Sequence, residues 1–172
     1  MNDQKWNDIA RQVENCTDKR GRLIDLKIRP LVIALIGNDF ATFFSCQGHL
    51  GRQYPYPWVE VGSREHVEAQ LAHGREFPPE VATNVRESNI QARVRLMSLL
   101  DDFYATEKPP NMIRLSTRLV LSTISGVEPS NDLEAFYICP VHTPSYKTRR
   151  RKRLKHYHTE VDRFAAFLKR KG

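Results

Sequence analysis

Two stretches of this 172-residue chain end in the same spacing of soft ligand atoms, Cys46-Gln-Gly-His49 and Cys139-Pro-Val-His142. Each sets a thiol and an imidazole three positions apart after a run with strand character. Two sulfurs and two nitrogens are a preferred tetrahedral zinc set. If the two strands are neighbours with their ends on one side, Cys46, His49, Cys139 and His142 can converge on one ion. Gly48 lets the first turn tighten, and Pro140 stiffens the second. The first pair also suits metal-free chemistry, with Cys46 as nucleophile and His49 as its partner base. Spacing names no third, orienting residue for that pair. In the plainest reading Cys46 and Cys139 are small buried side chains and the histidines ordinary loop residues. Cys46 and His49 are therefore the catalytic candidates, with the three readings left open.

The second concentration of chemistry is cationic. Lys147, Arg149, Arg150, Arg151, Lys152, Arg153 and Lys155 put seven positive charges into nine residues and account for the whole formal net charge of +7. The rest of the chain is neutral, so the basicity is a patch, suited to a polyanion rather than to a small acidic substrate. Tyr146, His156, Tyr157 and His158 flank the run, and Tyr157 with its neighbours can stack on unpaired bases, which favours RNA over duplex DNA. A solvated charged face, a protein partner or a membrane-surface helix are the other uses of such a run. Tyr54, Tyr56 and Trp58 follow the Cys46–His49 turn among prolines. They form either an aromatic ligand wall beside it or a stiff loop packed on the core.

Several chemistries are excluded by pattern. There is no G-x-x-x-x-G-K-[ST] phosphate loop and no G-x-G-x-x-G dinucleotide turn. His66-Val-Glu68 matches the first element of the zinc nucleobase deaminases, but P-C-x-x-C is missing, since Pro140 follows Cys139 and no second cysteine is near.

Pro30-Leu-Val, Gly37, Thr42, Ser45-Cys-Gln-Gly-His49 and Pro55-Tyr-Pro-Trp-Val59 resemble a family of small bacterial proteins carrying the same block. The shorter pattern, a helix leading to a strand that ends in Ser-Cys-x-Gly, is distantly similar to the wybutosine-synthesis tRNA methyltransferases. The resemblance spans about Pro30–Val61. It implies that the turn is a binding site and, through the second family, S-adenosylmethionine as cofactor. That family has arginine where His49 stands and serine where Gln47 stands.

The elements that must position these residues are legible in part. Asn2 or Asp3 can cap a first helix carrying Trp6, Ile9, Ala10 and Val13. Pro30 opens a short apolar helix closed by Gly37-Asn38-Asp39. Phe40–Cys46 and Trp58–Gly62 are predicted strands, the second placing Trp58 and Glu60 on one face. Ser63 can cap a helix from Arg64 to about Ala72. A longer helix runs to about Ala105, with Val85, Ile90, Val94, Met97, Leu100 and Tyr104 as its apolar stripe. Met112–Ser125 and Ala135–Cys139 are predicted as further strands. A terminal helix from about Arg150 repeats Leu154, Tyr157, Val161, Phe164 and Leu168 at 3-4-3-4 spacing.

These blocks predict an α+β domain with a mixed four- to five-stranded sheet, helices packed on it and a basic amphipathic C-terminal helix. The whole chain, 1–172, reads as one domain, with 147–172 as a basic helical arm. Three cysteines, no secretory pattern and no long apolar run favour a reducing, cytoplasmic setting. Two functions fit. One is a nucleic-acid-associated protein, RNA favoured, with a modifying site at Cys46–His49. The other is a non-enzymatic regulatory protein that binds a protein or nucleotide partner and is stapled by zinc. Whether the chain is an enzyme is left open by the sequence.

Overall fold

A computed structural model of the chain describes residues 3–17, 21–50, 55–74, 76–109, 113–119, 133–141 and 150–172, with only the backbone of Arg150. Helix α1 (Asp3–Asn15) leads to α2 (Arg29–Gly37), then strands β1 (Ala41–Cys46) and β2 (Trp58–Gly62). Helices α3 (Arg64–His73) and α4 (Pro79–Thr106) follow, then β3 (Leu115–Leu119), β4 (Phe136–Pro140) and α5 (Arg150–Lys171). The class is α+β, as the sequence predicts.

Local chemistry explains the starts. Pro30 lies in the first turn of α2, where its missing N–H costs nothing. Ser63 caps α3 by accepting a hydrogen bond from the His66 backbone N–H at 3.2 Å. Asn38 closes α2 and ties it to α5, its amide donating to Ala34 O at 2.9 Å and to Leu168 O at 3.1 Å.

The sheet order is β1-β2-β4-β3, and each neighbouring pair is antiparallel. The expected mixed sheet is therefore corrected among the described residues. β1 and β4 do run the same way, but β2 lies between them and pairs antiparallel with both. The predicted Met112–Ser125 strand material is described only as β3, the remainder lying outside the described residues.

One face of the sheet carries the core. Val59, Val61, Phe136, Ile138 and Leu115 pack with Leu31, Val32 and Leu35 of α2, Leu96, Leu100 and Phe103 of α4, and Val161, Phe164 and Leu168 of α5. The stripe predicted for α4 is partly wrong. Ile90, Val94 and Met97 are exposed, while Val85, Asn89, Leu96, Leu100 and Phe103 are buried. A 28-residue helix this rich in apolar residues carries more than one stripe of the right period, and the tertiary contacts choose among them.

Nor is the C-terminal helix an arm. From Tyr157 onward its stripe fills the core, with Phe164 and Phe167 rings each 5.3 Å from Phe103. The same burial corrects Tyr157 as a base-stacking residue, because it is 4 % exposed. Its place in the 3-4-3-4 apolar repeat outweighs its nearness to the charges.

Candidate metal centre at the end of strand β1

The end of β1 is held from two sides. Cys46 pairs with Trp58 at the start of β2, and the chain turns through Gln47, Gly48 and His49. Gly48 has φ +84°, and a Cβ there would come 2.6 Å from the Tyr56 backbone carbon and 2.9 Å from Leu154 Cδ1. The turn therefore needs glycine twice over, for its left-handed backbone and for the close approach of the two neighbours. On the α5 side, His158 Nε2 donates to the Gln47 carbonyl at 2.7 Å. On the other side, the Gln47 backbone N–H donates to Asp25 Oδ2 at 3.1 Å, and the Lys27 N–H donates to Gln47 Oε1 at 3.3 Å.

Asp25 is the residue that sequence reasoning missed. It stands just before α2, where its own carbonyl accepts from the N–H groups of Ile28 and Arg29 at 3.1 and 3.2 Å. Its carboxylate reaches across to His49, with Nε2 to Oδ2 at 3.5 Å. Ligand atoms of Asp25, Cys46 and His49 all lie within 4.8 Å of one another. Zinc bonds of roughly 2.0–2.3 Å in a tetrahedron put neighbouring ligands about 3.3–3.8 Å apart. The His49 Nε2–Asp25 Oδ2 pair, at 3.5 Å, already has that spacing. One oxygen, one sulfur and one nitrogen are all accepted zinc donors, and three protein ligands leave a fourth position open. The side chains of His49 and Asp25 are 33 % and 34 % exposed, so the group is accessible from solvent.

The expected partner, Cys139, is not part of this group. It lies on β4, two strand steps from β1, about 10 Å at the usual spacing, whereas two sulfurs on one zinc need about 4 Å. Cys139 is also 3 % exposed, and burial pushes its thiol up, against the thiolate a metal needs, with Arg118 opposing weakly. His142 lies outside the described residues. The proposed Cys46/His49/Cys139/His142 set is thus replaced, among the described residues, by Asp25/Cys46/His49. No spacing signal could have revealed Asp25, which precedes Cys46 by 21 positions in a loop of its own.

Of the aromatic residues after the turn, the ring of Trp58 packs edge-on to Tyr137. The Tyr56 backbone lies against Gly48, and Trp58 begins the strand beside Cys46; Tyr54 lies outside the described residues. So do Lys147, Arg149 and the side chain of Arg150. The remaining cations, Arg151, Lys152, Arg153 and Lys155, occupy the first turns of α5, where all but the half-buried Arg153 are exposed. They flank Leu154, the side chain that packs on Gly48. Behind the turn, burial pushes the Asp162 carboxyl up, opposed by the charges of Lys27 and His158. The structure thus sets a cationic helix start against the turn that carries two of the three side chains able to hold a metal ion. No helix among the described residues is long and apolar enough to cross a membrane. No family model, curated protein or solved structure matches the chain.

Proposed function

We propose that this chain is an RNA-associated protein in which Asp25, Cys46 and His49 hold a zinc ion at a reactive site, with the start of α5 binding the phosphates. One observation carries the reading. Leu154 beside Gly48 and His158 on the Gln47 carbonyl lay the start of α5 against the turn between Cys46 and His49, and Arg151 and Lys155 each precede one of these two residues by three positions on the helix. Asp25, Cys46 and His49 would hold the ion, and the α5 cations would hold a phosphate on the neighbouring helix start. A bound zinc there supplies Lewis acidity and a water acidified towards neutrality. The chain supplies the rest. Asp25 orients His49, the Gln47 N–H fixes Asp25, and the helix cations bind and align a phosphodiester.

A second reading rests on the same contacts. A metal held by Asp25 and by Cys46–His49 would join the loop before α2 to the end of β1, which is what a structural staple does. In that case the cationic turns serve a protein or nucleotide partner.

Metal analysis of purified protein and an electrophoretic titration with RNA at low salt test both. Asp25→Asn and Cys46→Ser should each lose one equivalent of zinc, and Cys139→Ser should keep it. Equal loss on Cys139→Ser would overturn the Asp25 set. Neutralising Arg151, Lys152 and Lys155 to glutamine should flatten the salt dependence of RNA binding by about 2 in log–log slope, from about 0.7 per single-strand phosphate contact. A wild-type chain that binds no RNA at low salt removes the first reading. A variant that loses zinc and the fold together supports the staple.

A further inference from the structure

Helix α5 reaches all three candidate ligand residues through the turn after β1. Leu154 Cδ1 stands 2.9 Å from where a Cβ on Gly48 would lie, and the Gly48 backbone N–H donates to Cys46 Sγ at 3.4 Å. One turn further along the helix, His158 Nε2 donates to the Gln47 carbonyl at 2.7 Å. The Gln47 N–H in turn donates to Asp25 Oδ2, the oxygen that faces His49 at 3.5 Å.

The two routes differ in how firmly α5 holds them. His158 follows Tyr157, whose burial anchors that part of the helix in the core. Leu154 sits in the first turns, among Arg151, Lys152, Arg153 and Lys155, and the first turn carries no acidic residue. Cations at a helix start meet the positive end of the helix dipole. Arg151 and Lys155, four positions apart, also repel each other along one face. This end of α5 is therefore the part of the helix that unwinds at least cost, and an anion on its cations favours the wound form.

We infer that winding of the first turns of α5 couples the two halves of the proposed site, so that RNA on the cations tightens zinc at Asp25, Cys46 and His49, with Leu154 as the linking side chain. The inference rests on the RNA and zinc reading and adds how one ligand senses the other. Wound, the helix start sets Leu154 against Gly48 and confines the residue whose N–H donates to the sulfur. Such a hydrogen bond favours the thiolate, the form of Cys46 that binds a metal. Unwound, the helix start takes Leu154 away from Gly48, which has φ +84° and, as a glycine, the most backbone freedom to regain. Phosphate and zinc thus favour the same state of one shared element. Two ligands that do so raise each other's affinity by equal factors. Leu154 touches neither ligand and acts as a positioning residue.

The test uses the full chain, zinc and a fluorescein-labelled single-stranded RNA of about 12 nucleotides. Zinc affinity is measured by competition with a chromophoric chelator, with and without saturating RNA. RNA affinity is measured by anisotropy, with and without zinc. In the wild-type chain each ligand should tighten the other about fivefold or more, by equal factors. Leu154→Ala should bring the factor below about twofold, whereas Leu154→Met, which keeps an apolar side chain of similar volume, should retain most of it. A side chain that served only the fold would instead weaken zinc equally with and without RNA. Asp25→Asn should abolish the effect of zinc on RNA affinity, which separates the coupling from direct action of the ion on the RNA. Binding of both ligands by the wild-type chain with no mutual effect, or a full factor in Leu154→Ala, overturns the coupling and leaves the RNA and zinc reading standing. A wild-type chain that fails to bind zinc or RNA overturns both.

Discussion

Glu60 makes a stability prediction that can be followed with sign and size. Its carboxylate has no hydrogen bond or ion pair among the described residues, and it is held on the sheet beside Trp58 and Tyr137. Desolvation by burial moves its pKa from the ordinary 4.5 to about 7. A folded-state pKa above the unfolded one means that the folded protein binds the proton more tightly. The stabilising difference is complete below about pH 4.5, falls as the pH rises towards 7 and is gone above it. A shift of that size corresponds to at most about 3 kcal/mol, and partial exposure with solvent screening reduces it to about 2 kcal/mol. Glu60→Gln removes the titrating group and keeps the shape. It should be near neutral at pH 5 and stabilising by about 2 kcal/mol at pH 8. Urea unfolding at the two pH values reads this as a midpoint shift of about 1 M at pH 8 only, for a slope near 2 kcal/mol/M. The difference between variant and parent is the informative quantity, because His66 is shifted as well, with the opposite sign. Burial lowers its pKa, with the Asn89 hydrogen bond opposing, so its contribution is lost as the pH falls. An equal midpoint shift at both pH values, or a loss at pH 8, would refute the desolvation account and show that Glu60 has a favourable partner.

Two further substitutions probe the elements that hold the site. Gly48→Ala should cost at least 2–3 kcal/mol and lower zinc content, combining the left-handed backbone with a Cβ that meets the Tyr56 backbone. Gly21→Ala, also at positive φ but with nothing within 4 Å, should cost only about 1 kcal/mol, and equal costs in thermal melts would show that the close approach does not matter. In α5, Glu160 has a 2 % exposed side chain paired with Arg163 at 2.6 Å, and Arg163 also reaches Glu107 at 3.2 Å. Arg163→Ala should cost about 3 kcal/mol by stranding a buried carboxylate, and adding Glu160→Gln should recover part of it. A single-variant cost under about 1 kcal/mol in urea unfolding would mean that the pair is solvated.

How much of this was legible follows from how local each signal is. Pro30, Ser63 and the 3-4-3-4 repeat of α5 act within one or two turns of themselves, so the elements they mark stand where the sequence puts them. The alternation in Trp58–Gly62 likewise set Trp58 and Glu60 on one face before any partner strand was known. Pairing is not local. Nothing in β1 or β4 says that β2 separates them, which is why a mixed sheet and a shared Cys46–Cys139 metal both looked reasonable. The α4 stripe fails for a related reason: Ile90 and Val94 have acceptable spacing, but only contacts with α5 and the sheet decide that Leu96 and Phe103 are inside.

The exchange of Cys139 for Asp25 changes the chemistry as well as the residue. A buried set of two thiolates and two imidazoles closes a zinc ion off from solvent and serves the fold. A carboxylate, a thiol and an imidazole at a half-exposed turn would leave one coordination position of a bound zinc open to solvent. The same turn is shaped by α5, whose inner stripe is core and whose first turns are cationic. Repulsion among Arg151, Lys152, Arg153 and Lys155 opposes the helix there, and the burial of Leu154, Tyr157 and Val161 offsets it. A helix that needed only to complete the core would not need its least favourable turn against Gly48. On the RNA reading proposed above, a bound phosphate offsets that cost.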